Sequence, residues 1–138
     1  KLFEEYYEAN VYEEISLYDG IEELLENLKS DGFDISIATN ASNKFARNAI
    51  EHLKIDNHFK YVIGFDDVSK SKPDPEMVIK TLQDLQYSND NSLLVGDSHK
   101  DFLAATAANV KCELVNWGFS DHDDAHHDVK SLYKSIVS

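Results

Sequence analysis

A hydroxyl, an ammonium and two carboxylates stand at turns of this 138-residue chain, where side chains can reach a ligand: Thr39, Lys72, Asp97 and Asp101. Ile37-Ala38-Thr39-Asn40 reads as a strand that delivers the Thr39 hydroxyl and then backbone N–H groups, donors that suit a phosphoryl oxygen. A plain turn with Thr39 or Asn40 as a helix cap would use the same four residues. In Lys70-Ser71-Lys72-Pro73-Asp74-Pro75, two prolines fix φ and drive the residues before them to extended backbone, so the Lys72 cation is aimed. An aimed ammonium can hold a phosphate and neutralise the charge that develops during transfer, although a solvated turn with a surface lysine shares this composition. Lys70 lacks the following proline and is the weaker candidate. In Leu94-Val95-Gly96-Asp97-Ser98-His99-Lys100-Asp101, an apolar strand ends on Asp97, Gly96 allows close backbone approach and Ser98 can cap a helix. Asp97 and Asp101 then converge on one point, and two carboxylates with waters are a common way to hold Mg²⁺. A capped helix alone explains Asp101 through the dipole, but not an acid at the tip of an apolar strand.

The elements that must position these groups follow from periodicity. Ile21, Leu24, Leu25 and Leu28 recur at helical spacing over residues 20–29, and Gly32 is a stop. Residues 34–39 form a short buried strand, and Ser42 caps a helix with Phe45, Ala46, Ala49, Ile50 and Leu53 on one face. Residues 61–65 read as a strand, 66–75 as a rigid, exposed loop, and 76–85 as a helix. A strand over 92–97, a helix over 101–109, a strand over 112–115 and a helix over 128–137 complete the order. Strands alternating with helices imply right-handed βαβ units around a parallel sheet, whose sites lie at the carboxyl ends of strands.

The order Thr39, Lys72, Asp97, Asp101 resembles the haloacid-dehalogenase-like hydrolases, in their phosphoglycolate-phosphatase-like branch. Ile37-Ala38-Thr39-Asn40 is similar to the family's second motif, Lys72-Pro73-Asp74-Pro75 to its third and Gly96-Asp97-Ser98-His99-Lys100-Asp101 to its fourth. Tyr18-Asp19-Gly20-Ile21 resembles the entry to the core after a helical cap, with Asp19 where a proline is usual, and Trp117-Gly118-Phe119-Ser120 resembles the exit loop. The resemblance implies an α/β, three-layer Rossmann-like core around a parallel sheet, with a cap remnant over 1–17 and the catalytic core over 18–138. It also implies a phosphatase acting on a small phosphorylated metabolite. Thr39 and Asn40 would bind the phosphoryl group, Lys72 would bridge nucleophile and phosphate, and Asp97, supported by Asp101, would ligate Mg²⁺.

The family's first strand, central in its sheet and ending in an Asp-x-Asp pair that attacks phosphorus and protonates the leaving group, has no counterpart here. Asp121-His122-Asp123 has the spacing but sits in a polar stretch. Missing that strand, the neighbours ending at Thr39 and Asp97 would each keep backbone groups without a ladder partner. The expectation is a piece of a longer polypeptide whose first strand and most of whose cap lie upstream, with residues 1–14 as the last cap helix and no phosphatase activity in this chain alone. A pseudo-enzyme that binds phosphate or metal without turnover is the alternative, as is a 2-haloacid dehalogenase, which needs no Mg²⁺. A receiver domain uses similar groups, but with its acids first and its lysine last.

Composition narrows the remaining classes. With 26 acidic against 13 basic side chains and a formal charge of −13, the surface repels nucleic acid. No run approaches the ~20 apolar residues of a membrane helix. The single cysteine, Cys112, cannot form an internal disulfide, which fits a reducing compartment, the cytoplasm by default, and a role as a buried small hydrophobe. His122 and His126 would share a helical face at i, i+4 and could bind metal, but a solvated loop rich in Asp and His is the plainer reading of residues 121–128.

Overall fold

The structure is a computed structural model describing residues 21–115 and 129–137. The cap remnant, the 18–20 entry, the exit loop at 117–120 and the 121–128 run lie outside the described residues. In chain order the elements are α1 (Ile21–Ser30), β1 (Ser36–Ala38), α2 (Asn43–His52), β2 (Tyr61–Ile63), α3 (Glu76–Leu85), β3 (Leu93–Gly96), α4 (His99–Ala107), β4 (Lys111–Leu114) and α5 (Val129–Val137).

Helix α1 buries all four of its periodic apolar residues, Ile21, Leu24, Leu25 and Leu28. Each such burial stabilises by roughly 1.5–3 kcal/mol before entropy is counted. The helix ends in a Schellman motif. Gly32, at φ 91°, donates to the Lys29 carbonyl and Phe33 donates to that of Leu28. Helix α2 opens on Ser42, whose hydroxyl oxygen accepts the Phe45 N–H at 3.1 Å. The turn after β2 is stitched to the same point. Asp66 accepts the Asn43 N–H at 2.9 Å, and Asp67 accepts the Gly64 N–H at 2.9 Å and the Asn43 side-chain amide at 2.6 Å. The Gly64 bond, with help from Asn43, holds the Asp67 carboxyl below the usual carboxylate value.

Strands β1 and β2 pair in parallel, as do β3 and β4, but among the described residues the two pairs are not hydrogen-bonded to each other. Side-chain alternation nevertheless places both pairs in one layer. Ile37, Val62 and Val95 point into a core built with α1, Ala46 and Ile50 of α2, and Leu132 of α5. On the opposite face Ala38 and Ile63 meet Met77 of α3, while Leu94 and Cys112 meet Val78 of α3 and Ala104 and Ala105 of α4. Helices thus cover both faces of a parallel layer, which is the expected three-layer α/β architecture.

Several boundaries differ from the sequence reading. Strand β2 stops at Ile63, and Phe65 opens a single 3₁₀ turn, half exposed, because the Asp67 bond to Gly64 turns the chain there. Helix α4 begins at His99 rather than 101, since Ser98 and Asp101 form its capping box. It ends before Asn109, whose φ is 59°. Cys112 is half-buried at the edge of its cluster rather than fully enclosed.

Candidate active site at the strand ends

Lys72 organises the site. The expected exposure of the 66–75 loop holds for Asp66, Ser69, Lys70 and Pro73, whereas Lys72 is 2% exposed. The reason is a set of partners for its charge. Its ammonium donates to the Ala38 carbonyl at 2.8 Å and to Asp101 Oδ1 at 2.6 Å, both side chains being closed to solvent. A buried ion pair persists only where further hydrogen bonds satisfy its remaining polar atoms. Here Asp101 Oδ2 accepts the Ser98 hydroxyl at 3.1 Å and the Ser98 N–H at 3.3 Å, so one carboxylate caps α4 and neutralises Lys72. Gly96 makes room for it: a Cβ at residue 96 would lie 2.4 Å from the Asp101 Cβ. Asp97, the next residue, is 2% exposed.

Thr39 completes the rim. It is 1% exposed, its N–H donates to the Ile63 carbonyl at 3.0 Å, and its hydroxyl oxygen accepts the Ala41 N–H at 3.1 Å. The hydroxyl proton can still be donated to a ligand. Asn40 directs its side chain to the backbone of Lys72. Asn40 Oδ1 accepts the Lys72 N–H and Asn40 Nδ2 donates to the Lys72 carbonyl, both at 3.0 Å. Lys70 is exposed, and its N–H is tied to Glu76 at 3.1 Å, away from this cluster.

Hydrogen bonds therefore link Asn40, Lys72 and Asp101 across the carboxyl end of β1 and the start of α4, with Thr39 next to Asn40 in the chain and Asp97 next to Ser98. The motifs did not announce three of the contributors. The Ala38 carbonyl is an ordinary backbone atom, the Asn40 clasp joins residues 32 apart, and the closeness of Gly96 to Asp101 needs the helix in place.

Below this rim lies a cleft of about 410 Å³ between β1 and β3. Its walls are mainly apolar: Leu24, Leu25, Leu28, Leu132 and Ile136 from one helix layer, and Val78, Leu82 and Leu85 from the other. Ile35 and Thr39 turn their bonding groups to β2, so parallel alternation directs those of Ser36 and Ala38 to the cleft. Likewise the Gly96 carbonyl accepts from Val115, which directs the backbone groups of Leu93 and Val95 to the cleft. Lys72 bridges the carboxyl end of β1 to Asp101 in the first turn of α4, the helix that follows β3.

An ammonium, a hydroxyl and nearby backbone N–H groups suit a tetrahedral anion. Asp97 and Asp101 offer carboxylate oxygens, the donor chemistry of a hard divalent ion such as Mg²⁺. Among the described residues no group of three or more His, Cys, Asp and Glu could hold a metal, so such an ion would complete its shell with waters and further donors. Both Asp101 oxygens are bonded, one to Lys72 and the other to Ser98.

Residues 1–115 match the family described as haloacid dehalogenase-like hydrolase. The phosphoglycolate phosphatase of Pseudomonas fluorescens is 33% identical over 120 residues, covering 87% of this chain and 44% of that protein. Phosphoglycolate phosphatase 1 of Pseudomonas aeruginosa is 31% identical over 119 residues, covering 86% and 43% respectively. Among solved structures, a predicted phosphatase from Clostridium acetobutylicum superposes with a TM-score of 0.80 at 27% identity, over 87% of this chain and 59% of that one. The chain thus spans about half the length of these curated relatives.

Proposed function

The chain belongs to the haloacid dehalogenase-like hydrolase family, and from that premise we propose that it supplies most of the catalytic core of a phosphatase acting on a small phosphomonoester. The observation that carries this reading is the buried Lys72 ammonium, held between Asp101 of α4 and the carbonyl of Ala38, a residue that also lines the apolar cleft. An extended strand from upstream in the same polypeptide would fill the cleft, pair with β1 and β3, and bring an aspartate at its carboxyl end to Lys72. That carboxylate forms a bond to phosphorus as the bond to the leaving oxygen breaks, and a second acid gives the leaving oxygen its proton. Water then cleaves the aspartyl-phosphate.

Within this scheme Lys72 neutralises charge on the nucleophile and the transferring group, and Thr39 with the Asn40 N–H holds phosphoryl oxygens. Asp97, with Asp101 behind it, would hold Mg²⁺, which when bound offsets phosphoryl charge. The names of the relatives support a small phosphorylated metabolite as substrate. The test is hydrolysis of p-nitrophenyl phosphate. The 138-residue chain alone shows none, and a polypeptide extended through an upstream strand turns over in Mg²⁺ and loses turnover with Lys72→Ala. Hydrolysis by the isolated chain would refute the scheme, and an extended protein indifferent to Mg²⁺ would favour dehalogenase chemistry.

A further inference from the structure

We propose that the side chain of Asn40 positions Lys72, its amide holding the lysine backbone, a role separate from that of the Asn40 main chain toward the anion. One amide accepts the Lys72 N–H and donates to the Lys72 carbonyl at 3.0 Å each, as a neighbouring strand would. No other side chain of this size supplies a donor and an acceptor in one fixed plane: aspartate lacks the donor, serine spans too little, and glutamine adds a methylene. The clasp matters because of what hangs from it. A lysine carries its charge on a flexible four-carbon stem, so placing the ammonium between the Ala38 carbonyl and Asp101 requires a fixed Cα. Asn40 follows Thr39, so the segment that presents the hydroxyl also sets the register of the loop that presents the cation. The two anion-directed groups then move as one body. This inference rests on the phosphatase reading only in taking Lys72 as the anion-directed cation. Its structural part stands if phosphate is never bound.

The experiment follows the lysine ammonium signals of the 138-residue chain by ¹H–¹⁵N spectroscopy, with inorganic phosphate titrated as a second readout. The unsubstituted chain shows a resolved, slowly exchanging Lys72 signal. Asn40→Ala speeds that exchange on the order of tenfold, as loss of a part-buried anchor making two hydrogen bonds would. Asn43→Ala removes comparable bonds, to Asp67 and the Val62 carbonyl, yet leaves the Lys72 signal in place even where both variants melt earlier. Asn40→Asp keeps one acceptor and gives an intermediate rate, and it carries the test should Asn40→Ala not fold. In a Lys72→Met background, Asn40→Ala weakens phosphate binding no further. Equal effects of the Asn40 and Asn43 variants, or no slowly exchanging Lys72 signal in the unsubstituted chain, would overturn the proposal. A clear Asn40 effect without phosphate binding would instead count against the phosphatase reading alone.

Discussion

A lysine with 1% of its side chain exposed is stable only beside its counter-charge, and the energetics of the site turn on that pair. Asp101→Ala would remove the carboxylate 2.6 Å from the buried Lys72 ammonium and strip α4 of its cap. The expected cost is roughly 3–5 kcal/mol, read as a fall in the urea midpoint. Asp67 makes a smaller, pH-dependent contribution. Its folded carboxyl titrates below the ordinary 3.8, chiefly because it accepts the Gly64 N–H. Its stabilisation is therefore present above the unfolded value and lost as pH falls through the lower folded one. Asp67→Asn should accordingly cost stability near neutrality, with the deficit shrinking as acid is added below about pH 4 in parallel melts. Residue chemistry was largely readable from the text: Pro73 and Pro75 flagged Lys72, and a strand ending on Gly96-Asp97 flagged the acids. Burial of Lys72 was not, because its partners are a backbone carbonyl and a residue 29 positions away.

At the scale of elements, local signals and tertiary packing agree for α1 and α2, where caps and apolar spacing match the observed bounds to within a residue, and for α3 in its 76–85 span. They part where a side chain reaches across. The early start of α4 depends on Asp101 folding back on Ser98, and the early end of β2 on Asp67 folding back on Gly64. Gly96 ties element to site. With the Asp101 Cβ 2.4 Å from any Cβ placed there, Gly96→Ala must push α4 off β3 or turn Asp101 away from Lys72. Overpacking of this kind typically costs about 1–3 kcal/mol, and a thermal midpoint lowered together with a faster-exchanging Lys72 ammonium would confirm both effects. Ser42→Ala, which removes only the α2 cap, should cost about 1 kcal/mol and leave Lys72 undisturbed.

At the scale of the molecule, the two parallel pairs share their helix layers but not a ladder, and the cleft between them is lined from both layers. A segment lying there would have apolar neighbours on both faces, as strands of buried parallel sheets do. Such a gap was foreseeable only through family resemblance, since periodicity reports the strands that are present and says nothing of a missing neighbour. Amide hydrogen exchange tests the account most directly, at Ser36, Ala38, Leu93 and Val95, whose backbone groups face the cleft. In the 138-residue chain these amides should exchange far faster than those of Ile37 and Leu94, and in a polypeptide carrying the upstream strand they should become as protected as those neighbours. Equal protection in the isolated chain, or no gain on extension, would contradict the claim that a strand completes this sheet beneath Lys72.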